Sequence, residues 1–416
     1  MRALILAVGS ELLRPGRSET HSERITPVLE SAGLEVESRR VVSDDRGEIA
    51  RALAEARRRP RLVLVMGGIG PTRDDRTREA LGDALERPLR RDPGAYRTLR
   101  AWCRRHRIPC TRDQARQALV PEGTEIVRNP TGSAPGIWVA DDRGAILVLP
   151  GVFGEMRRML QDFLPRLRRL GEGPIATATL RTAGKGESRI DRRIAPVVRR
   201  FSEVEVTTLA SPGEITIQLR ARGPRARGLV TRCRDALARR LGRDLVSASG
   251  ERLEEVVFRL LSRRRWTLSV AESCTAGLVS ARLTSVPGSS RVFLAGAVCY
   301  NDRAKTRILS VSGEILRRHG AVSRPTALAM ARGVAALTGS RIAVGVTGIA
   351  GPGGARPGKP VGTVHWAVVG PGGHRTLHRL LPGDREKVRN HSAAIALDLV
   401  RRELLPRDRV SPRARA

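Results

Sequence analysis

The sequence predicts an α/β protein made of two larger modules around a small α+β one. Three observations predict it. Apolar runs at Ala3–Val8, Leu62–Met66 and Ala145–Leu149 are separated by helical patterns in the first part of the chain. Residues 171–245 change character, with three short strand patterns and two helices. From residue 251 onward, apolar strands again alternate with helices.

Taken in order, Ala3–Val8 is a continuous apolar strand, and Ser22–Ala32 has helical spacing that stops at Gly33. Leu34–Val42 extends again, Gly47–Arg59 is helical by its Ala/Leu spacing, and Leu62–Met66 is a buried strand. Ala145–Leu149 is another strand and Phe153–Leu170 a basic amphipathic helix. This order favours a mostly parallel sheet with helices on both faces. Gly171-Glu172-Gly173-Pro174 reads as a linker. Beyond it come strands at Ile175–Arg181, Glu203–Thr208 and Glu214–Arg220, and helices at Ser188–Arg200 and Ala226–Leu241. Ser247–Gly250 is the second linker. Arg252–Arg264 is helical and Thr267–Ala271 a strand. A turn at Glu272–Thr275 leads into a helix ending near Leu283. Val292–Tyr300, Arg341–Thr347 and Val361–Val369 are strands, Asp384–Leu404 is a long helix, and Pro406–Ala416 is a frayed basic tail. The expected domains span 1–170, 171–246 and 250–405, followed by the tail at 406–416.

Composition narrows the function classes. A chain of 416 residues that is 40% hydrophobic can bury real cores, which excludes wholesale disorder. No apolar run approaches the ~18–20 residues of a membrane span. The apolar stretch after Met1-Arg2 is too short for a signal-peptide core, so a soluble cytoplasmic protein is expected. The net charge is +34, carried by 72 Arg and only four Lys (185, 305, 359 and 387). The excess is +6 over residues 1–150, +11 over 151–250 and +17 over 251–416. It is not interleaved with aromatics, of which there are eleven, so it reads mainly as solvated surface. Anionic substrates and non-specific nucleic-acid binding remain open on charge alone. Five scattered cysteines without a CxxC pair argue against a disulfide framework or a zinc site, and HExxH is absent.

The first chemical constellation is Gly67-Gly68-Ile69-Gly70-Pro71-Thr72-Arg73-Asp74-Asp75, between a buried strand and a helix. Glycines at the carboxyl end of a strand let backbone N–H groups approach an anion. Asp74 and Asp75 stand where a Mg-like divalent cation would be held against a pyrophosphate. Glu11 and Asp44-Asp45 fall at the ends of the first and second strands, the edge where doubly wound sheets bind ligands. A tight turn with a capping Asp is the plainer alternative. The spacing is not GxGxxG, which disfavours a nicotinamide dehydrogenase.

The second constellation is Ala271-Glu272-Ser273-Cys274-Thr275, with three candidate nucleophiles in a strand-to-helix turn. A serine hydroxyl needs a base, and a desolvated Lys serves where an Arg does not. Lys305 follows the next long strand. The alternative is that Ser273 or Thr275 caps a helix and Lys305 is solvated. A third element, Gly345–Gly354, follows an apolar strand, and its amides suit a phosphate or an oxyanion. Gly353–Lys359 has P-loop spacing, but Pro360 stands where Ser/Thr would hold Mg²⁺ and a strand follows.

Several strings resemble the CinA family. In the first module these are Gly9-Ser10-Glu11-Leu12-Leu13, the Gly67–Asp75 run, Gln114-Ala115, Asn129 with Gly132–Gly136, and Leu149-Pro150-Gly151-Val152. They are similar to the molybdopterin-binding-like, three-layer domain that opens CinA proteins. The resemblance implies metal-dependent cleavage of ADP-ribose, with Gly67, Gly68, Gly70, Asn129 and Gly151 at the nucleotide and Glu11, Asp44, Asp74 and Asp75 toward the metal. The sequence departs from the family at His21 (usually Asn), Ser43 (usually Gly) and Phe153 (usually Pro). Gly184-Lys185-Gly186-Glu187-Ser188 resembles the small KH-type connector of the family, whose GxxG loop in true KH domains clamps nucleic acid. Here a structural connector is the favoured reading.

In the last module, Ala271–Leu278, Val286–Ser290, Gly296–Lys305, Gly320–Ser323 and Gly345–Gly354 with Lys359–Thr363 resemble the C-terminal CinA domain, the nicotinamide-nucleotide amidase family. Ala276 stands where that family usually has Gly. The resemblance implies hydrolysis of nicotinamide mononucleotide to nicotinate mononucleotide and ammonia, with no cofactor. It implies Ser273 as nucleophile, Lys305, held neutral, as its base, and Tyr300 as a neighbouring catalytic residue. Thr275, Gly277, Gly348, Gly351, Gly353 and Gly354 are expected at the substrate, with oxyanion amides from Ser273–Gly277 or Gly348–Gly354 and an Arg at the phosphate. Cys274 is the rival nucleophile. A homodimer is implied by resemblance alone. Two other functions compete: a competence- or DNA-damage-associated nucleic-acid binder, and a protein in which only the first module works.

Overall fold

The computed structural model describes residues 1–59 and 61–405, so the tail expected at 406–416 lies outside the described residues. It divides into two compact units, one of residues 1–176 with 222–226, the other of residues 177–221 and from 227 onward.

The first unit contains β1 (Arg2–Val8), β2 (Glu35–Val42), β3 (Arg61–Met66), β4 (Leu89–Arg91), β5 (Leu119–Pro121), β6 (Glu125–Val127), β7 (Gly136–Asp141) and β8 (Gly144–Leu149). Six form one sheet in the order β2-β1-β3-β8-β7-β6. The first four run parallel, while β7 and β6 return antiparallel. The short strands β4 and β5 pair only with each other. Because side chains alternate along a strand, β1 feeds two cores. Ala3, Ile5 and Ala7 pack with Leu29, Met156 and Leu160 from the helices His21–Ser31 and Phe153–Leu167. Leu4 and Leu6 pack with Ile49, Leu53 and Leu81 from Arg46–Ala56 and Thr77–Leu85. A strand buried on both faces has to read as a continuous apolar run, as Ala3–Val8 does. The expected three layers follow.

The second unit begins with β9 (Ile175–Ala183), β10 (Glu205–Ser211), β11 (Glu214–Arg222) and β12 (Leu245–Ser247), in the order β10-β11-β9-β12. Helices Glu187–Arg200 and Ala226–Leu241 accompany them. Next come β13 (Leu268–Glu272), β14 (Phe293–Val298), β15 (Ile342–Gly348), β16 (Thr363–Gly370) and β17 (Gly373–Leu380), in the order β14-β13-β15-β16-β17. The three strands β14, β13 and β15 are parallel, and β16 and β17 antiparallel. Leu253–Arg264, Leu278–Thr284 and Arg385–Leu404 cover one face. Asp302–Leu309 and Arg324–Thr338 contribute to the core of the other. Trp366 is fully buried in the first of these cores and donates from Nε1 to the Ser392 carbonyl at 3.0 Å. Among the described residues, no helix is long and apolar enough to cross a membrane.

Candidate active site

Three loops meet at the carboxyl edge of β14, β13 and β15. Glu272, the last residue of β13, pairs with Val298 on one side and Val346 on the other. The chain is stitched onward by Ser273 N to the Val346 carbonyl at 3.0 Å and Cys299 N to the Glu272 carbonyl at 2.8 Å. Ser273, Tyr300 with Lys305, and Gly348–Gly354 therefore leave three adjacent parallel strands at one edge, the usual ligand edge of an open α/β sheet.

The turn after β13 is longer than its sequence suggests. Ala276 has φ 49° and Gly277 φ 89°, both left-handed, and the helix starts only at Leu278. The fully buried Glu272 carboxylate accepts from Val279 N at 3.1 Å, Ser280 N at 2.9 Å and Ser280 Oγ at 2.6 Å. An acid on the preceding strand thus satisfies the orphan amides of the helix start and complements its dipole. Of the amides expected to face an oxyanion, Ser273 N is thus taken by the Val346 carbonyl and Ala276 N donates to the Ser273 carbonyl at 3.1 Å, while Glu272 takes those of Val279 and Ser280 further on.

Lys305 is 2% exposed, on the helix Asp302–Leu309 that Asn301 caps by accepting from Ala304 N at 2.8 Å. Its Nζ donates to the Tyr300 carbonyl at 3.4 Å and lies 3.6 Å from Asp302 Oδ1. The alternative of a solvated Lys305 is therefore excluded. The Tyr300 carbonyl, not its largely exposed hydroxyl, accepts from Lys305 Nζ. Cys274 is buried, and desolvation pushes its thiol up to about 12, which makes it a poor nucleophile.

Two arginines absent from the expected site complete it. Arg385 and Arg389 lie one turn apart at the start of the long helix Arg385–Leu404, and such residues share a helix face. Arg385 donates from Nη1 to the Gly351 carbonyl at 2.7 Å and from Nη2 to the Tyr300 hydroxyl at 2.6 Å. Arg389 donates from Nη2 to the Thr275 carbonyl at 3.1 Å. Thr275 is fully buried, its Oγ1 has no hydrogen-bond partner, and neither has the buried Arg389 Nε. Thr275, expected at the substrate, is thus enclosed beneath the turn. The i, i+4 spacing behind the capping Asp384 was the available signal, hidden among 72 arginines.

The loop after β15 is held shut at its base by Ile349 N to the Thr363 carbonyl at 2.9 Å and Gly362 N to the Ile349 carbonyl at 2.8 Å. Gly351 and Gly354 have φ 86° and 89°, and a side chain on Gly351 would meet Val361 at 2.7 Å. Lys359, the lysine of the P-loop-like spacing, turns away and donates to the His319 carbonyl at 2.8 Å.

In the first unit, a cavity of about 360 Å³ is lined by Gly67, Gly68, Gly70, Gly151, Glu11, Asp44, Asp74 and Asp75. The glycines are required by the backbone: Gly67 and Gly68 have φ 101° and 70°, and a Cβ on Gly68 would lie 2.1 Å from Thr77 Oγ1. Beneath the loop, the buried Arg78 donates to the carbonyls of Ile69 and Gly70. The acids share the cavity, and two of them are hydrogen-bonded within its loops. Asp44 accepts from Ser10 N at 2.7 Å, and Asp75 accepts from Thr72 N at 2.8 Å and Thr72 Oγ1 at 2.5 Å. Among the described residues, no group of three or more His, Cys, Asp or Glu side chains is arranged to hold a metal ion.

Asn129 does not line this cavity. Its amide is spent on the loop, accepting from Thr131 N and Gly132 N and donating to the Ala134 carbonyl and Glu155. That replaces the expected nucleotide contact with a structural one. His21 and Phe153, two departures from the expected pattern, pack together with ring centroids 5.2 Å apart.

Comparison with known proteins agrees with this order of modules. The family described as a probable molybdopterin binding domain matches residues 4–169, the damage-inducible protein CinA KH domain 177–246, and the CinA C-terminal domain 250–404. A CinA-like protein of Koribacter versatilis is 41% identical over 97% of this chain and 100% of its own length. The chain belongs to the CinA-like family. A putative competence-damage inducible protein of Moorella thermoacetica is 38% identical, over 97% of this chain and 99% of that one. The competence/damage inducible protein CihA of Agrobacterium tumefaciens, a solved structure, is 39% identical over 36% of this chain and 93% of its own, with a TM-score of 0.35.

Within this CinA-like chain the first glycine of the KH-type loop is occupied, while Gly186–Ser188 are exposed. Gly184 N donates to the Gly213 carbonyl at 3.0 Å, Arg379 Nη1 donates to the Gly184 carbonyl at 3.1 Å, and a Cβ on Gly184 would lie 2.8 Å from Asp398 Oδ2. A loop seated this way on its neighbour is a poor nucleic-acid clamp, which favours the connector role.

Proposed function

We propose that the last module is an amidase that hydrolyses nicotinamide mononucleotide to nicotinate mononucleotide and ammonia. The observation that carries this reading is that the Ser273 turn and the helix bearing Lys305 follow neighbouring parallel strands at one sheet edge, with Lys305 withdrawn from solvent. In the proposed reaction Lys305 takes the Ser273 proton as Oγ attacks the carboxamide carbon. The tetrahedral intermediate collapses, the C–N bond breaks, and ammonia leaves with a proton returned through Lys305. Water, deprotonated in turn by Lys305, then cleaves the acyl-enzyme. The oxyanion donors come from the amides of Gly348–Gly354 or from those of the Ser273–Gly277 turn other than Ser273 and Ala276. Arg385, between Gly351 and Tyr300, supplies the positive charge for the mononucleotide phosphate. The high thiol pKa of Cys274 supports Ser273 over its neighbour.

The cavity of the first unit supports a second, separate reading as a nucleotide or phosphate site. Glu11, Asp44, Asp74 and Asp75 on its wall are the side chains that would hold a divalent cation against the phosphates. Incubating the full chain with nicotinamide mononucleotide, and with ADP-ribose in the presence and absence of Mg²⁺, tests both. Ammonia release from the first supports the amidase. Absence of ammonia contradicts it. A homodimer is part of the same proposal, and light scattering decides it.

A further inference from the structure

Arg282 lies in the seven-residue helix Leu278–Thr284, directly behind the Ser273 turn. Its Nη2 is 2.6 Å from Glu254 Oε2 and 2.8 Å from Glu214 Oε2. Glu254 belongs to the neighbouring helix Leu253–Arg264, but Glu214 opens β11, in the middle module. The other end of the same short helix is held by the Glu272 carboxylate, one residue before Ser273. A helix this short moves as one piece, so a pull at Arg282 is felt at the turn.

The hairpin that carries Glu214 is itself seated on the last module. Gly213, at its tip with φ 84°, abuts the long helix so closely that a Cβ would lie 2.7 Å from the Ala394 Cβ and 2.9 Å from His391. A cavity of about 430 Å³ lined by Glu214, Arg282, Asp384 and Lys387 opens beside the ion pair. On this flank the middle module meets the short helix through the Glu214–Arg282 ion pair, beside the apolar core that Ala183 and Val246 of the middle module share with Val279 and Leu283.

We infer that Arg282 is a positioning residue through which the seating of the middle module sets the geometry, and hence the rate, at Ser273. The inference rests on the amidase reading for its kinetic consequence. Its mechanical content, coupling of Glu214 to the Ser273 turn, stands apart from the substrate. The two carboxylates make the link separable: removing Glu214 leaves Arg282 paired with Glu254, so the short helix keeps a partner while its charged tie to the middle module is cut.

The test uses full-length Glu214→Gln and Glu214→Ala, with Arg282→Lys as the conservative variant. Three readouts are taken: kcat and KM for ammonia release, hydrogen exchange over residues 273–283, and the melting midpoint. Expected for both Glu214 variants is a kcat lower by about five- to tenfold with KM within about twofold, and faster exchange over 273–283. Arg282→Lys, which keeps the charge, is expected to lose less. Unchanged kcat and unchanged exchange overturn the inference, as does a KM rise with kcat intact. If Glu214→Ala fails to fold, Glu214→Gln decides alone. If the wild type releases no ammonia, the amidase reading fails by itself. Exchange over 273–283 then decides the coupling, faster exchange supporting it and unchanged exchange overturning it.

Discussion

Arg385 donates to the hydroxyl of Tyr300 at 2.6 Å while its other terminal nitrogen donates to the Gly351 carbonyl at 2.7 Å, so one guanidinium spans two of the three site loops. Hydrogen bonds to charged groups are worth ~1.5–3 kcal/mol. Arg385→Ala is therefore expected to raise KM for nicotinamide mononucleotide by about tenfold or more. Tyr300→Phe removes only the acceptor and is expected to raise KM less. Steady-state ammonia release measures both, and an unchanged KM in Arg385→Ala contradicts the role given to this residue.

The Cys274 thiol is buried, and its pKa is pushed up to about 12, first by desolvation. At neutral pH it stays protonated. Cys274→Ala is expected to retain ammonia release within about threefold and to cost ~1 kcal/mol of stability, the ordinary loss for trimming a small buried side chain. Iodoacetamide should leave Cys274 unlabelled in the native protein, as peptide mass mapping would show. Loss of all turnover in Cys274→Ala would return the nucleophile to the thiol.

Ala276 occupies left-handed backbone at φ 49°, the position where the family usually has Gly. A side chain there costs ~1–2 kcal/mol relative to right-handed backbone, partly offset by the extra unfolded-state entropy of Gly. Ala276→Gly is expected to raise the free energy of unfolding by about 1 kcal/mol or less, read from urea midpoints at constant m. A lower midpoint would show that the turn is unstrained.

His365 on β16 stacks on His378 of β17 with centroids 4.4 Å apart. Burial, and then the charge of His378, depress its pKa from the ordinary 6.5 to about 4. Above pH 6.5 the ring is neutral in both folded and unfolded chains. As pH falls from 6.5 toward 4, the unfolded chain takes up a proton that the folded one refuses, so stability is lost on acidification. His365→Phe is expected to flatten the fall of the melting midpoint between pH 6.5 and 4 relative to wild type. Parallel curves for the two proteins would contradict it.

Much of this fold was legible from local pattern. Strands buried on both faces, such as β1, β3, β13 and β15, had to be continuous apolar runs. The capping and stop signals placed helices such as His21–Ser31, Arg46–Ala56 and Arg385–Leu404 to within a few residues, but Asp302–Leu309 and Arg324–Thr338 were not read. The hairpin strand β17 was not read, because Gly373–Leu380 alternates His, Arg and Thr with few apolar residues at an exposed sheet edge. The antiparallel return of β7 and β6 was missed because Glu125–Val127 is too short to show a period. At the site, Ser273 and Lys305 were visible from residue chemistry, since Lys is rare in this chain. Arg385, Arg389 and Glu272 were not. Two were lost among many arginines, and the third is an acid whose burial depends on a helix start two residues later than the turn suggested. Asn129 misled because a side chain that folds a loop and one that binds a ligand look alike in sequence.

The central claim is that Ser273 is the nucleophile of an amide hydrolysis. The most direct measurement is ammonia release from nicotinamide mononucleotide by the full chain and by Ser273→Ala under single-turnover conditions. The account predicts release by the wild type and a loss of about a thousandfold or more in Ser273→Ala, with the variant folded by circular dichroism. Release by Ser273→Ala at the wild-type rate would contradict it.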